Sequence, residues 1–286
     1  MRIVADSSAN LTALEGADFV SVPMIVRLGE REYRDTEKLR VDIMLRDMRQ
    51  SREATSTACP GVGDWLEAFG GDEEIFAAVL TSKLSGCYSA ARIAALEYMD
   101  EHPDRKVFVL DSLSTGPELE LIVERFAELT GDGLPFAAAC ERIRAYRRST
   151  RLAFVLSSLD NFARNGRVNP ALARLVTMLH VHIVGRAGAG GDLEPLNKCR
   201  GEKKALEQLW KNMHEAGYAG GRVRLRHTEN APAAETLREM ILSEYPRADV
   251  RIGENRGLCA YYAERGGMLV GFEGEENARR RLEHER

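Results

Sequence analysis

The feature that most limits the fold is an alternation of short, β-branched apolar runs with longer stretches of helical spacing. Residues 2–5, 18–23 (extendable through Met24-Ile25-Val26), 75–80 and 106–110 read as strands. Residues 41–49, 63–69, 88–99, 118–129 and 135–149 carry apolar side chains at helical spacing. Strands separated by helices of roughly ten to fifteen residues predict βαβ units and a parallel sheet. Such sheets bind ligands in crevices beyond the carboxyl ends of their strands.

The second half changes pattern. Strands are expected at 151–156, 221–227, 248–253 and 268–272, with 180–184 extended. Helices are expected at 159–165, 170–178, 202–216 and 231–244, and the Arg/Glu-rich 273–286 reads as a frayed tail. The expected fold class is α/β with two domains: 1–150, a mostly parallel sheet flanked by helices, and 151–286, a mixed sheet with helices.

Composition excludes several classes. Forty basic against 44 acidic residues give a net charge of −4, without the basic excess of a general nucleic-acid binder. No apolar run approaches the roughly 20 residues of a membrane-spanning helix, and Asp6 interrupts the N-terminus before a secretory apolar region can form. The five scattered cysteines, with no C-x-x-C pair, suit a reducing cytoplasm rather than a disulfide framework.

Four small polar clusters end strands or open helices: Asp6-Ser7-Ser8, Thr55-Ser56-Thr57, Thr81 to Cys87 and Asp111-Ser112. At a helix start, free N–H groups and a partial positive charge favour a small anion. Ser85 is placed to cap a helix and bond a ligand oxygen, with Gly86 allowing that oxygen close to the main chain. The plainer reading of each cluster is a cap or turn satisfying local amides. If the strand ends converge, however, their hydroxyls line one cleft.

Familiar catalytic signatures are absent. There is no G-x-x-x-x-G-K-[ST], no G-x-G-x-x-G after the first strand and no G-x-S-x-G elbow. The Gly-rich 186–192 reads as a hairpin turn. His180 and His182, alternating without a third ligand at metal spacing, read as a structural pair rather than a zinc site. The basic 198–204 reads as a solvated helix start, or as a surface for an acidic partner or phosphate.

Taken in order, these clusters resemble the DegV family, the fatty-acid-binding proteins that serve bacterial fatty acid kinase. Asp6-Ser7-Ser8-Ala9-Asn10-Leu11 resembles the family's DS-S-x-x-L opening, and Val22-Pro23-Met24 with Tyr33-Arg34-Asp35 its V-P-L…Y-x-D segment. Ser56-Thr57-Ala58-Cys59-Pro60 is similar to T-S-Q-P, and Leu84-Ser85-Gly86-Cys87-Tyr88-Ser89-Ala90-Ala91 to L-S-G-T-Y-x-S-A. Asp111-Ser112, Asn165-Gly166-Arg167-Val168 and Lys198-Cys199-Arg200-Gly201 resemble the D-S, x-G-R-[IV] and K-x-R-[GT] elements.

The resemblance implies a fatty acid in an apolar tunnel between two α/β domains, with no other cofactor, no metal and no catalytic residue in this chain. By it, Ser56, Thr57 and Ser85 hydrogen-bond the carboxylate, with Gly86 and Cys87 beside them, and Arg167 is the nearby cation. Arg200 would contact the ATP-binding kinase subunit, which forms the acyl phosphate for phospholipid metabolism. The expected location is the cytoplasm, without stable membrane insertion and without a nucleic-acid partner. The chain departs from the pattern at the C-terminal H-x-G-x-G, where Asn255-Arg256-Gly257-Leu258-Cys259-Ala260 puts Asn255 in place of a histidine close to the ligand head. It also departs at Ala58-Cys59, which lacks a hydroxyl and an amide of the family motif. Two alternatives stand beside this reading: an enzyme using Cys87 or Cys59 as nucleophile at a helix start, and a family member kept as a lipid sensor or scaffold.

Overall fold

The structure is a computed structural model that describes residues 1–71, 73–179 and 181–275. His180 and the tail from 276 onward lie outside the described residues. The chain opens with β1 (Arg2–Asp6), β2 (Phe19–Val22), β3 (Ile25–Leu28), β4 (Arg31–Arg34), α1 (Val41–Gln50), β5 (Thr55–Ala58) and α2 (Val62–Phe69). It continues through β6 (Glu74–Val79), α3 (Cys87–Glu101), β7 (Lys106–Asp111), α4 (Gly116–Gly131) and α5 (Phe136–Ser149). Then follow β8 (Thr150–Leu156), α6 (Asp160–Arg164), α7 (Pro170–Leu179), β9 (His182–Ala187), β10 (Leu193–Cys199) and α8 (Glu202–Glu215). The last elements are β11 (Tyr218–His227), α9 (Ala231–Glu244), β12 (Val250–Glu254), α10 (Gly257–Ala263) and β13 (Met268–Gly274).

The first sheet, in the order β2-β1-β6-β7, is parallel throughout, as the βαβ rhythm predicts. Its central strand residues Ile75 to Val79 are buried on both faces, which is why the run is continuously apolar instead of alternating. The short side chains Ala91, Ala94 and Ala95 bring α3 close against one face of this sheet. The second sheet is mixed, ordered β10-β9-β8-β13-β11-β12, with one parallel pair, β11 with β12. The Gly-rich turn joins β9 to β10 as an antiparallel hairpin, closed by Gly188 N donating to Asp192 O at 2.8 Å.

Three elements differ from the sequence reading. The expected continuation of the second strand through Val26 does not form: the chain turns at Pro23, and β3 joins a separate three-stranded antiparallel sheet, β4-β3-β5. Thr55 to Thr57, read as a turn or cap, pair with Arg27 and its neighbours as β5. Lys198 and Cys199, read as part of a solvated helix start, end strand β10 instead, while the helix itself begins at Glu202 as expected.

Helix α4 is the joint between the two large sheets. Leu119, Ile122, Val123, Phe126 and Leu129 lie on one stripe and enter the core of the first sheet. The opposite stripe carries Glu120, Glu124 and Glu128, which face Arg226, Arg224 and Arg222 of β11. Four residues of helix advance about 6 Å, and two residues of strand about 6.7 Å, so the two rows run antiparallel nearly in step.

Candidate functional site

An apolar cavity of about 290 Å³ lies between the two large sheets. Leu152, Phe154 and Leu156 of β8 and Leu269 of β13 form one wall. Met24, Leu80 and Leu84 line it from the loops beyond the first sheet, and Leu258 and Tyr262 from α10.

The opening D-S-S motif builds this wall from behind and does not line it. Asp6, fully buried, accepts from Leu80 N at 2.6 Å and from Ser8 N at 3.0 Å. Ser7 Oγ accepts from Met24 N at 3.0 Å. Burial pushes the Asp6 carboxyl pKa up, although these amides pull it the other way. Asp111 likewise accepts from Leu113 N at 3.0 Å and Ser82 N at 3.3 Å. Two of the four polar clusters therefore satisfy loose amides at strand ends, and two reach the cavity.

Those two meet at one end. Thr57 Oγ1 lies 2.8 Å from the Tyr262 hydroxyl. Ser85 Oγ accepts from Cys87 N at 3.2 Å in a tight turn just ahead of α3, whose N-cap is Gly86, and this leaves the serine proton free to point elsewhere. Arg167 donates from Nε to Leu84 O at 3.3 Å and from a terminal nitrogen to Asn165 O at 2.6 Å, which holds its guanidinium beside Ser85. A Cβ added to Gly86 would stand 3.7 Å from Cys59 Sγ, so the thiol closes the gap between β5 and the start of α3. Thr57, Cys59, Ser85, Gly86, Arg167 and Tyr262 all line the cavity. The result is an oily chamber with neutral donors, a helix N-terminus and one cation at the same end.

Three residues expected at the ligand stand elsewhere. Ser56 is exposed and does not line the cavity, because successive residues of a strand point to opposite faces and Thr57 takes the inner one. Cys87 is buried behind the wall, with Sγ 4.0 Å from Met24 Sδ. Its burial, with the Asp6 carboxylate nearby, pushes the thiol pKa well up, which opposes the thiolate a nucleophile needs. Asn255 is buried off the cavity, where its amide nitrogen donates to Arg226 O at 3.2 Å and to Thr228 Oγ1 at 3.1 Å. Arg200 is exposed in the turn between β10 and α8. Among the described residues no three His, Cys, Asp or Glu side chains are grouped to hold a metal ion, and no helix is long and apolar enough to cross a membrane.

Sequence reasoning missed α10 and with it Tyr262. The helix has seven residues and no capping side chain of its own. Its first amides, Gly257 N and Leu258 N, donate instead to the buried Asp35 carboxylate, at 3.2 and 3.1 Å, from a loop more than two hundred residues earlier. A Cβ at position 257 would fall 2.5 Å from the Asp35 carboxyl carbon, so only glycine permits this approach. Burial raises the Asp35 pKa, against the pull of those amides and of Arg256. The adjacent Tyr261 and Tyr262 were the available signal, since each finds a threonine of β5: Tyr261 lies 2.8 Å from Thr55 Oγ1.

Fold and site together define a class: an α/β protein that can enclose an elongated apolar molecule and meet its polar end with hydrogen-bond donors. A family model described as "Uncharacterised protein, DegV family" matches residues 1–274, and the chain belongs to the DegV family. It is 38% identical over 276 residues to a DegV domain-containing protein of Streptococcus pneumoniae, covering 95% of this chain and 98% of the other. Among solved structures it is similar to a DegV family protein from Eubacterium eligens loaded with heptadecanoic acid, at 40% identity and a TM-score of 0.93, covering 96% of this chain and 99% of that one. It is also similar to the Streptococcus pneumoniae Fatty Acid Kinase (Fak) B3 protein loaded with linoleic acid, at 38% identity and a TM-score of 0.94, with the same coverage of 96% and 99%.

Proposed function

We propose that this chain binds a long-chain fatty acid and presents it to a separate, ATP-binding kinase subunit for acyl-phosphate formation. The observation that carries the reading is the cavity, whose largely apolar lining also presents Thr57, Ser85 and Arg167. A carboxylate accepts hydrogen bonds and donates none, so two hydroxyl donors and a helix start compensate the water it loses. The acyl chain supplies affinity along the leucine-rich walls, at about 0.8 kcal/mol per buried methylene. Relatives crystallised with heptadecanoic and linoleic acid support the same ligand class.

On this reading the chain is the binding subunit, and phosphoryl transfer belongs to the partner. The raised thiol pKa of Cys87 weighs against a cysteine nucleophile there. Arg200 is the proposed partner contact. It follows Cys199, which pairs with His182, and the next strand residue, Ile183, pairs with Leu156. Arg200 is thus an exposed cation at the edge of the second sheet, in the turn that follows β10, where an acidic partner surface can reach it. The five free cysteines suit a cytoplasmic setting.

Protein purified without detergent and then denatured should release a long-chain fatty acid in mass spectrometry. A preparation that releases none and takes up no added palmitate overturns the binding reading. Arg200→Glu should leave palmitate loading unchanged and lower acyl-phosphate formation by a fatty acid kinase ATP-binding subunit at least about tenfold. Equal rates with both forms overturn the docking assignment.

A further inference from the structure

The position at which the family resemblance expects a ligand-facing histidine holds Asn255, and its amide is committed to β11 and Thr228. Tyr262 borders the head-group end instead, and its hydroxyl is shared with Thr57.

We propose that Tyr262 is a positioning residue that donates its hydroxyl proton to Thr57, turning the Thr57 proton toward the ligand carboxylate, so that the pair selects acids over alcohols of equal chain length. The proposal rests on the fatty-acid reading and deepens it.

The hydrogen-bond inventory at this spot is small and decides the matter. Thr57 and Tyr262 together own two protons, and the contact between them uses one. The other is left for the cavity. A phenol is a stronger acid than an aliphatic alcohol, so the favourable order is phenol to threonine to carboxylate. Each bond in such a chain polarises the next and makes Thr57 a better donor.

The surroundings fix both partners. Thr57 is β-branched and sits in β5, so its side chain is stiff. The Tyr262 ring is held against Phe162 at 4.7 Å between centroids and against Tyr261 at 4.9 Å. Burial raises the Tyr262 pKa, which keeps the phenol protonated and able to donate. Tyr261 repeats the arrangement one step away: its hydroxyl accepts from Asn165 Nδ2 at 2.8 Å and contacts Thr55. The neighbouring pair therefore stays occupied and does not compete for Thr57. An alcohol head group brings its own proton and needs no donor turned toward it, so an ordered Thr57 gives it little advantage.

The test uses the full chain with Tyr262→Phe, which keeps the ring packing and removes only the hydroxyl. Dissociation constants are measured for palmitate and for hexadecanol, in the wild type, Tyr262→Phe, Thr57→Val and the double variant. Tyr262→Phe should weaken palmitate about tenfold and hexadecanol less than about twofold. The double variant should bind palmitate no more weakly than Thr57→Val alone, because the two groups act in series. Equal losses for acid and alcohol would overturn the proposal, since a structural defect spares neither. Additive losses for palmitate would overturn it as well. A wild type that binds no palmitate removes the fatty-acid reading itself, which is a different result from a binder whose Tyr262→Phe form fails to discriminate.

Discussion

The two large sheets meet along two seams of opposite character. On one, three arginines of β11 face three glutamates of α4, and Arg224 is 1% exposed beside Glu124 at 2.7 Å. On the other, Leu152, Phe154 and Leu156 of β8 face the loops of the first sheet across the cavity. A buried charge left without its partner is expensive, so the ionic seam admits one register and little movement. Apolar walls impose no such register. The contrast teaches that one seam fixes how the sheets stand while the other is free to serve a ligand.

The largest expected effect comes from breaking the ionic seam at its most buried rung. Arg224→Ala removes the buried partner of Glu124, leaving it the exposed Arg251 at 3.4 Å, and should lower stability by about 3 kcal/mol in urea denaturation. A loss under 1 kcal/mol would mean that the ladder is not the fixed joint. Next comes the apolar seam. Cys59 lines the cavity without being fully buried, so Cys59→Trp should fill the head-group end. We expect palmitate affinity to fall at least about a hundredfold, while the urea midpoint of the unloaded protein barely moves. A variant that still binds palmitate normally would place the ligand elsewhere.

The smallest effect separates two rungs of the same ladder by pH. Burial works against ionisation of Glu128, but Arg222 and Arg125 outweigh it, and its folded pKa lies below the ordinary 4.5. Stability from this group is present above pH 4.5 and lost as pH falls through the folded value. Glu120 has the reverse sign: burial outweighs the help of Arg226, so its contribution is present below 4.5 and lost as pH rises through its higher folded pKa. Glu128→Gln should therefore flatten the acid limb of a stability–pH curve, by roughly a few tenths of a kcal/mol because the pair is partly solvated. A steeper acid limb would reverse the assignment.

Much of the scaffold was legible because local pattern and tertiary role agree. The run of apolar residues before Thr81 is continuous because both faces of its strand are buried, and the alanines of α3 are small because that helix packs close. The alternation Arg222-Val223-Arg224-Leu225-Arg226 carried a readable signal too, one charged face and one oily face. Where the reading failed, the deciding contact came from far along the chain. Helix α10 is started by Asp35, β4 hides an inward Tyr33 among exposed charges, and β5 looks like a polar turn until β3 is beside it. Ser56 and Thr57 each offer a hydroxyl, and only the strand separates their faces.

The small β4-β3-β5 sheet has a wider consequence. It supplies Thr55 and Thr57 from its last strand, and the loop just after β4 supplies Asp35. The helix that Asp35 starts returns Tyr261 and Tyr262 to those same threonines. Segments 25–58 and 256–263 thus behave as a matched lock and key cut from distant parts of the chain. Exchanging one half with that of a relative should jam the fit, whereas exchanging both should transplant a head-group preference intact.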